Sequence, residues 1–310
     1  MLFKIILKPL EIIRKFISIV RSGNYLFLLF ALPGHFYSPI PDINEIRMNS
    51  KIIFDITNKE LPGIFLNEDE QLSLASNFIK FYGDIPFPEK KLTGFRYYFD
   101  NDFFSYGDGV SLYSLMRILE PKRIIEIGSG FSSAAMLDVD EKIFGEQIDF
   151  TFIEPYTDRL LSLINNKDIE RVTILKERVQ NISEEIFANL CTNDILFIDS
   201  SHVAKIDSDV LHILFKILPI LKQGVVIHFH DILWPFEYPK IWLGNGRAWN
   251  EAYILRSFLQ YNVSFKIMYF NSFIEAHHAK FLKNNMPLML KKPSSAVTFP
   301  NTSLWITKAL

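Results

Sequence analysis

Two short apolar runs in this chain end in groups that can move protons or hold a metal ion. ILFIDSSH places Asp199, Ser200, Ser201 and His202 directly after the run 195–198. VVIHFHD places His228, His230 and Asp231 at the end of the run 225–229. Imidazoles titrate near neutral pH and serve as acids, bases or metal ligands, and a nearby carboxylate tunes them. Helix capping would account for one of the acids, but not for five polar groups at two run ends. Strand alternation puts His228 on the same side as His230, where it reads as a supporting group. His212, His277 and His278 read as structural or surface residues.

A third apolar run leads into a glycine turn, IIEIGSGFSS, over 124–133. Gly128 and Gly130, with Ser129 between them, allow a tight turn and close approach of a ligand to the backbone. Glu126 stands two residues before the first glycine, where a carboxylate would attract a ligand's positive charge. A dinucleotide fingerprint needs a third glycine, and Ser133 occupies that place; a pyrophosphate also gains nothing from a neighbouring carboxylate. The next run ends FIEP. Glu154 there is placed to accept both hydrogen bonds of a ribose diol, a feature shared by nicotinamide and S-adenosylmethionine sites. The segment 178–181, with Gln180, is expected to reach the adenine.

These groups need a scaffold that brings the run ends together. From about residue 109 the pattern alternates: helix 110–119, strand 123–127, helix from 132, strand 149–153, helix 157–164, strand 172–175, helix 183–190, strand 195–198, helix 208–218, strand 225–229, helix 249–258. Short strands that are apolar on both faces and separated by helices imply a parallel sheet covered on both sides. Strands 264–270 and 303–307 follow, with no strong helix between them. The expected fold is α/β: a Rossmann-like seven-stranded, mostly parallel sheet with an antiparallel C-terminal strand pair, over 109–310. Residues 1–108 are expected to form a helical and irregular extension. It contains a helix over 68–82, a proline-dense stretch over 33–41 and an aromatic loop over 95–106.

The acid followed by GxG resembles motif I of class I S-adenosylmethionine-dependent methyltransferases, with Ser132 where that motif has its third glycine. The strand-four acid with a strand-five polar pair resembles the metal site of catechol-type and macrolide- or sugar-type O-methyltransferases. The strings IDSSHVAKIDSDV, HFHDI, PGHFYSPIP and GRAWNEAY together resemble the bacterial family labelled Methyltransf_24, from about Gly34 to the C-terminus. The resemblance implies O-methylation of a small-molecule or saccharide hydroxyl. Glu126, Gly128, Ser129, Gly130, Glu154, Gln180 and Asp199 would hold S-adenosylmethionine, and Asp199, His202, His230 and Asp231 would do the chemistry. A divalent cation on Asp199, His230 and Asp231 is one option. The histidine in that pair departs from the acids or amide of the metal-using relatives and suits zinc, iron or manganese better than magnesium. Metal-free catalysis with His202 or His230 as base is the other. Arg247, Trp249, Asn250 and Glu251 are expected to bind a polar or anionic acceptor, and Phe104 and Tyr106 to close over the cofactor.

The remaining features bound the problem. The 310 residues are 49% hydrophobic and 22% charged, an ordinary globular balance, with 29 Phe and 12 Tyr available for a core. A net charge of −2 gives no sign of a nucleic-acid partner. The one cysteine, Cys191, excludes an intrachain disulfide and fits a cytoplasmic protein. Residues 1–21 carry Lys4, Lys8, Arg14, Lys15 and Arg21 against Glu11, among apolar residues too interrupted to cross a bilayer. They read as a helix packing on the domain or on a second subunit, or as peripheral contact with the inner face of a membrane. Three other readings stand beside methyl transfer: a nicotinamide-dependent oxidoreductase, a metal-dependent hydrolase built on His228-Phe229-His230-Asp231, and a non-catalytic adaptor of the same fold.

Overall fold

The computed structural model describes residues 30–310. The expected N-terminal helix over 1–21 lies outside the described residues. The chain forms two compact units, divided between Ile53 and Phe54. In the first unit, residues 30–42 are irregular, as their prolines require, and short helices follow at Ile43–Met48 and Ser50–Ile53. Asp42 caps the first of these by accepting a hydrogen bond from the Asn44 amide. None of the described helices is long and apolar enough to cross a membrane.

The second unit is built on a sheet of seven strands: β1 Arg123–Ile127, β2 Asp149–Ile153, β3 Thr173–Leu175, β4 Ile195–Ile198, β5 Val226–Phe229, β6 Phe265–Phe270 and β7 Leu304–Lys308, in the order β3-β2-β1-β4-β5-β7-β6. β1 to β5 run parallel, and β7 is antiparallel to both β5 and β6. β4 and β5 are buried at every position, which explains their unbroken apolar patterning. The register is what creates a site. Ile127 pairs with Ile153 on one side and Ile198 on the other, and Ile198 pairs with Phe229. The residues that follow, Gly128, Glu154, Asp199 and His230, therefore stand in a row along the carboxyl edge of the sheet.

Two helices differ from the sequence expectation. A helix spans Asn271–Asn285 between β6 and β7, where no strong helix is expected. It is poorly patterned, and its backbone leaves helical geometry at His278. A tertiary contact fixes its start: the Asn271 amide donates to Asp108 Oδ1, the Gly107 carbonyl and Ser111 Oγ. The helix expected to begin at residue 110 begins at Tyr106 instead. Gly107 permits this, because a Cβ there would lie 1.9 Å from Asn301 Oδ1. Close approach of the 300–303 segment, not helix propensity, selects that glycine.

Residues 61–106 contribute to the main core, with Phe78, Tyr97, Phe99 and Phe104 buried in it. The aromatic loop is held from beneath by a buried ion network. Arg96 donates to both Asp168 oxygens at 2.8 and 2.6 Å and to Asp138 Oδ1 at 2.8 Å, and it pairs with Glu141. The Tyr97 amide completes Asp138 at 2.9 Å. Since Asp138 lies in the helix Phe131–Val139 that follows β1, the network locks the loop to the element carrying the glycine turn. Glu126 is the second buried ionisable group. It is fully buried and accepts hydrogen bonds from the hydroxyls of Ser132 and Ser133. Burial pushes its carboxyl up to about 8, with Asp199 adding to the effect and the two serines opposing it.

Two predictions follow from these buried charges. Arg96→Ala leaves Asp138 and Asp168 unpaired in the interior, and chemical denaturation should show a loss of about 3–5 kcal/mol; a loss under ~1 kcal/mol would contradict the network's role. Glu126 titrates near 8 when folded and near ~4.3 when unfolded. Between those values the folded state binds more protons, so this group's contribution to stability declines as pH rises and levels off above about 8. The melting temperature of wild type relative to Glu126→Gln should therefore fall between about pH 5 and 8.5. A pH-independent difference would show that Glu126 is not held protonated.

Candidate active site

The turn after β1 is shaped by steric fit. Gly128 has φ +84°, and a Cβ there would lie 1.9 Å from the Asp199 carbonyl oxygen, so only glycine allows β1 and β4 to end this close together. The amides of the turn are already engaged: Ser129 N–H donates to Glu154 Oε2 at 3.2 Å, and Gly130 N–H to Ser133 Oγ at 2.9 Å. That arrangement ties the ends of β1 and β2 together.

Two cavities open along the strand-end row. One, of about 450 Å³, has Ile127, Ile153 and Val179 as apolar wall and Glu154, Arg178 and Gln180 at its rim. Arg178 and Gln180 both donate to the Asp207 carbonyl, at 2.7 and 2.8 Å, linking the segments on either side of this cavity. The other, of about 340 Å³, is bounded by Phe103, His202, His230, Asp231, Trp249 and Thr302. Gly128, Glu154, Asp199 and Ser200 line both, so the cavities meet at the ends of β1, β2 and β4.

At this junction the expected acid–histidine cluster is present, organised by a residue the strand-end pattern does not reveal. His202 is buried, and its Nδ1 lies 2.8 Å from Glu251 Oε2. Glu251, also buried, begins the helix Glu251–Leu259 and accepts as well from Ser200 Oγ at 2.9 Å. With Nδ1 committed to Glu251, His202 turns Nε2 toward Asp199 Oδ1 at 3.4 Å and Asp231 Oδ2 at 3.6 Å. His202 (φ +59°) and Asp231 (φ +56°) both adopt the left-handed backbone region, a conformation that persists when surrounding contacts enforce it. For His202 those contacts are the Asn250 and Glu251 amides, which donate to its carbonyl at 3.0 and 3.2 Å.

The electrostatics are set by crowding of acids around two imidazoles. Burial lowers the His202 pKa, but hydrogen bonds to Asp199 and Glu251 and the charge of Asp231 outweigh it, and the ring is held well above the ordinary histidine value. His230 moves up for a similar reason: burial opposes protonation, and Asp231, Asp199 and Asp108 overcome it. Asp199 is pushed up by burial and pulled further down by His230, His202 and Arg159, so it remains ionised. His228 moves the other way. Fully buried, stacked on Phe197 with ring centroids 3.7 Å apart and bonded to Ser303 Oγ at 2.8 Å, it is held well below the ordinary value by burial and by the charge of His230.

Several expected roles change. Glu126 does not line either cavity; its carboxyl is turned inward to Ser132 and Ser133, where it shapes the turn. Asn250 lines neither cavity; its side chain clamps Ala204, accepting from that amide at 2.6 Å and donating to its carbonyl. Glu251 orients His202. Arg247 and Trp249 do line the second cavity. Phe104 and Tyr106 pack in the core, and it is Phe103 that borders the cavity.

The donors do not suit a divalent cation on Asp199, His230 and Asp231. His230 Nε2 lies 3.1 Å from the Phe103 carbonyl, which can only accept, so that nitrogen carries its hydrogen and has no lone pair for a metal. Its Nδ1 faces Thr302 Oγ1 at 3.3 Å. Among the described residues no three His, Cys, Asp or Glu side chains are gathered so as to hold a metal ion. His202 stands between the two carboxylates instead.

Arg159 is absent from the sequence-derived set. It borders the second cavity beside Gly130, with its guanidinium 3.9 Å from the Phe103 ring centroid. Its place in the helix after β2 carries no local signature; only the fold brings it over the turn.

Residues 125–232 match a family model described as a methyltransferase domain. An uncharacterized protein of Archaeoglobus fulgidus is 34% identical over 169 residues, 53% of this chain and 75% of that protein. Among solved structures, an S-adenosylhomocysteine-bound methyltransferase of Podospora anserina aligns at 15% identity over 88% of this chain and 99% of its own, with TM-score 0.39. The O-methyltransferase TomG of Streptomyces achromogenes, in complex with S-adenosylmethionine, aligns at 14% identity over 72% of this chain and 86% of its own, with TM-score 0.39. The chain belongs to this methyltransferase-domain family and has the Rossmann-like class I fold of S-adenosylmethionine-dependent methyltransferases.

Proposed function

We propose that the protein transfers the methyl group of S-adenosylmethionine to a hydroxyl of a small-molecule or saccharide acceptor, with His202 as the general base and without a metal-bound step. The observation that carries this reading is the Glu251–His202 pair, whose Nε2 faces the junction where the two cavities meet. When bound, S-adenosylmethionine supplies a methyl group on a positively charged sulfur, which is already strongly electrophilic.

The chain's own residues then hold, align and deprotonate. Glu154 suits the ribose diol, and the apolar wall of Ile127, Ile153 and Val179 suits the adenine, with Gln180 at its edge. The ionised Asp199 favours positive charge at the junction. Arg159 is the cation beside the turn and suits an amino-acid carboxylate. On the acceptor side, Nδ1–H of His202 donates to Glu251, which fixes the tautomer and leaves Nε2 to take the hydroxyl proton. Asp199, Asp231 and Glu251 stabilise the imidazolium that forms. Alignment of acceptor and methyl group supplies the rest of the acceleration. A nicotinamide dinucleotide is disfavoured because the turn has Ser133 where the dinucleotide fingerprint needs a third glycine.

Titration calorimetry should show saturable binding of S-adenosylmethionine and S-adenosylhomocysteine and none of NADH, and Glu154→Ala should weaken S-adenosylhomocysteine binding by about tenfold or more. Binding of NADH in their place would overturn the cofactor assignment. His202→Gln should lower kcat by roughly 10²- to 10⁴-fold. Because His202 must be neutral to accept a proton and is held above its ordinary value, wild-type kcat/KM should rise with pH beyond about 6.5. That limb should vanish in the variant; a profile shared by both proteins would exclude His202 as the base.

A further inference from the structure

We infer that Arg247 is the anion-recognising group of the acceptor cavity, and that the acceptor is a hydroxylated ring compound carrying a carboxylate or phosphate. The inference rests on the methyl-transfer reading for what occupies the neighbouring cavity.

Arg247 lines the smaller cavity, and its guanidinium lies 4.8 Å from the ring centroids of both Trp242 and Trp249. Cation–π contact engages the face of a guanidinium and leaves its in-plane N–H donors for a ligand. The two indoles are themselves fixed. Trp242 Nε1 donates to the Val297 carbonyl at 2.7 Å, and the rings pack edge to face with centroids 5.4 Å apart. The backbone at Arg247 is pinned too, its amide donating to the Trp242 carbonyl at 3.1 Å. An ordered cation of this kind loses little rotamer freedom when an anion binds.

Among the described residues Arg247 has no salt-bridge partner. Arg96 and Arg171, by contrast, are paired, Arg96 with Asp138 and Asp168 and Arg171 with Asp140. The other arginine of the cavity, Arg159, lies over Phe103 beside the glycine turn, on the cofactor side. Arg247 is thus the arginine left for the acceptor.

Trp249 connects this cation to the base. Its ring touches Arg247 on one hand and His202 on the other, with centroids 4.3 Å apart in the second contact. An acceptor lying against the indole would place its anionic group at Arg247 and a hydroxyl at His202 Nε2. A cavity of about 340 Å³ accommodates a single substituted ring, and aromatic walls suit the apolar face of a sugar or a phenolic ring. Carboxylate and phosphate both match the guanidinium fork.

The test uses the full chain saturated with S-adenosylhomocysteine and calorimetric titration with matched probes: 3,4-dihydroxybenzoate against catechol, glucuronate against glucose, and glucose 6-phosphate as the phosphate arm. At least one charged probe should bind about tenfold or more tightly than its neutral partner, and the better arm tells carboxylate from phosphate. The ratio of charged to neutral affinity should fall to about one in Arg247→Ala, and Arg247→Lys should restore part of it. Equal binding of charged and neutral probes by wild type, no binding of any charged probe, or a preference that survives Arg247→Ala would each overturn the inference. Failure of wild type to bind S-adenosylhomocysteine would instead sink the methyl-transfer reading.

Discussion

The level register of four parallel strands is the constraint on which the site depends. Ile127, Ile153, Ile198 and Phe229 are neighbours across the sheet, so each strand releases its next residue at the same height. That delivers a glycine, two carboxylates and an imidazole to a single edge. A slip of one residue in any strand would turn its chemical group into a helix layer. The side chains within the strands are apolar and buried because helices cover both faces, and this leaves polar chemistry only at the ends.

Buried charge organises the shell around that edge. Glu126 lies below the turn and holds the serines of the following helix, while Arg96 fastens the aromatic loop to the same helix through Asp138. Asp108 does comparable work for the far side. It accepts from the amides of Thr302 and Ser303 at 2.8 and 2.9 Å, and from the Thr302 hydroxyl, which stands beside His230. Burial pushes its carboxyl up to about 6, against the opposing effect of His230 and these hydrogen bonds. Each group is costly inside the protein unless its partners are in place, so each ties the geometry of the cleft to the completeness of the fold.

The cluster at the junction illustrates how a base is made from ordinary parts. His202 and Glu251 are 49 residues apart, one on the loop after β4 and the other opening the helix that precedes β6. The acid is buried with the histidine, so their bond is shielded from water. Asp199 and Asp231 complete a ring of negative charge around the imidazole. Where a metal-binding arrangement would need open lone pairs, this site offers a histidine whose two nitrogens have distinct duties.

Much of the architecture was legible from the chain alone. Apolar runs fix strands because backbone pleating and burial on both faces demand them, and all five parallel strands appear within a residue of where the pattern puts them. The acid–GxG turn, Glu154, Asp199, His202 and Asp231 carry local signatures of strand ends, and they do gather on one edge. Tertiary structure decided what local pattern cannot encode. Glu126 faces inward because the hydroxyls of Ser132 and Ser133 reach it first. Asn250 and Glu251 serve the loop and His202 because of where the helix Glu251–Leu259 docks. The helix Asn271–Asn285 is anchored by Asp108, more than a hundred and sixty residues away in sequence. Arg159 and Arg247 reach the cleft by the same route. Spacing along the chain reports which residues share a strand or a helix face, whereas which side chains satisfy each other across elements depends on packing that forms only once the whole sheet is closed.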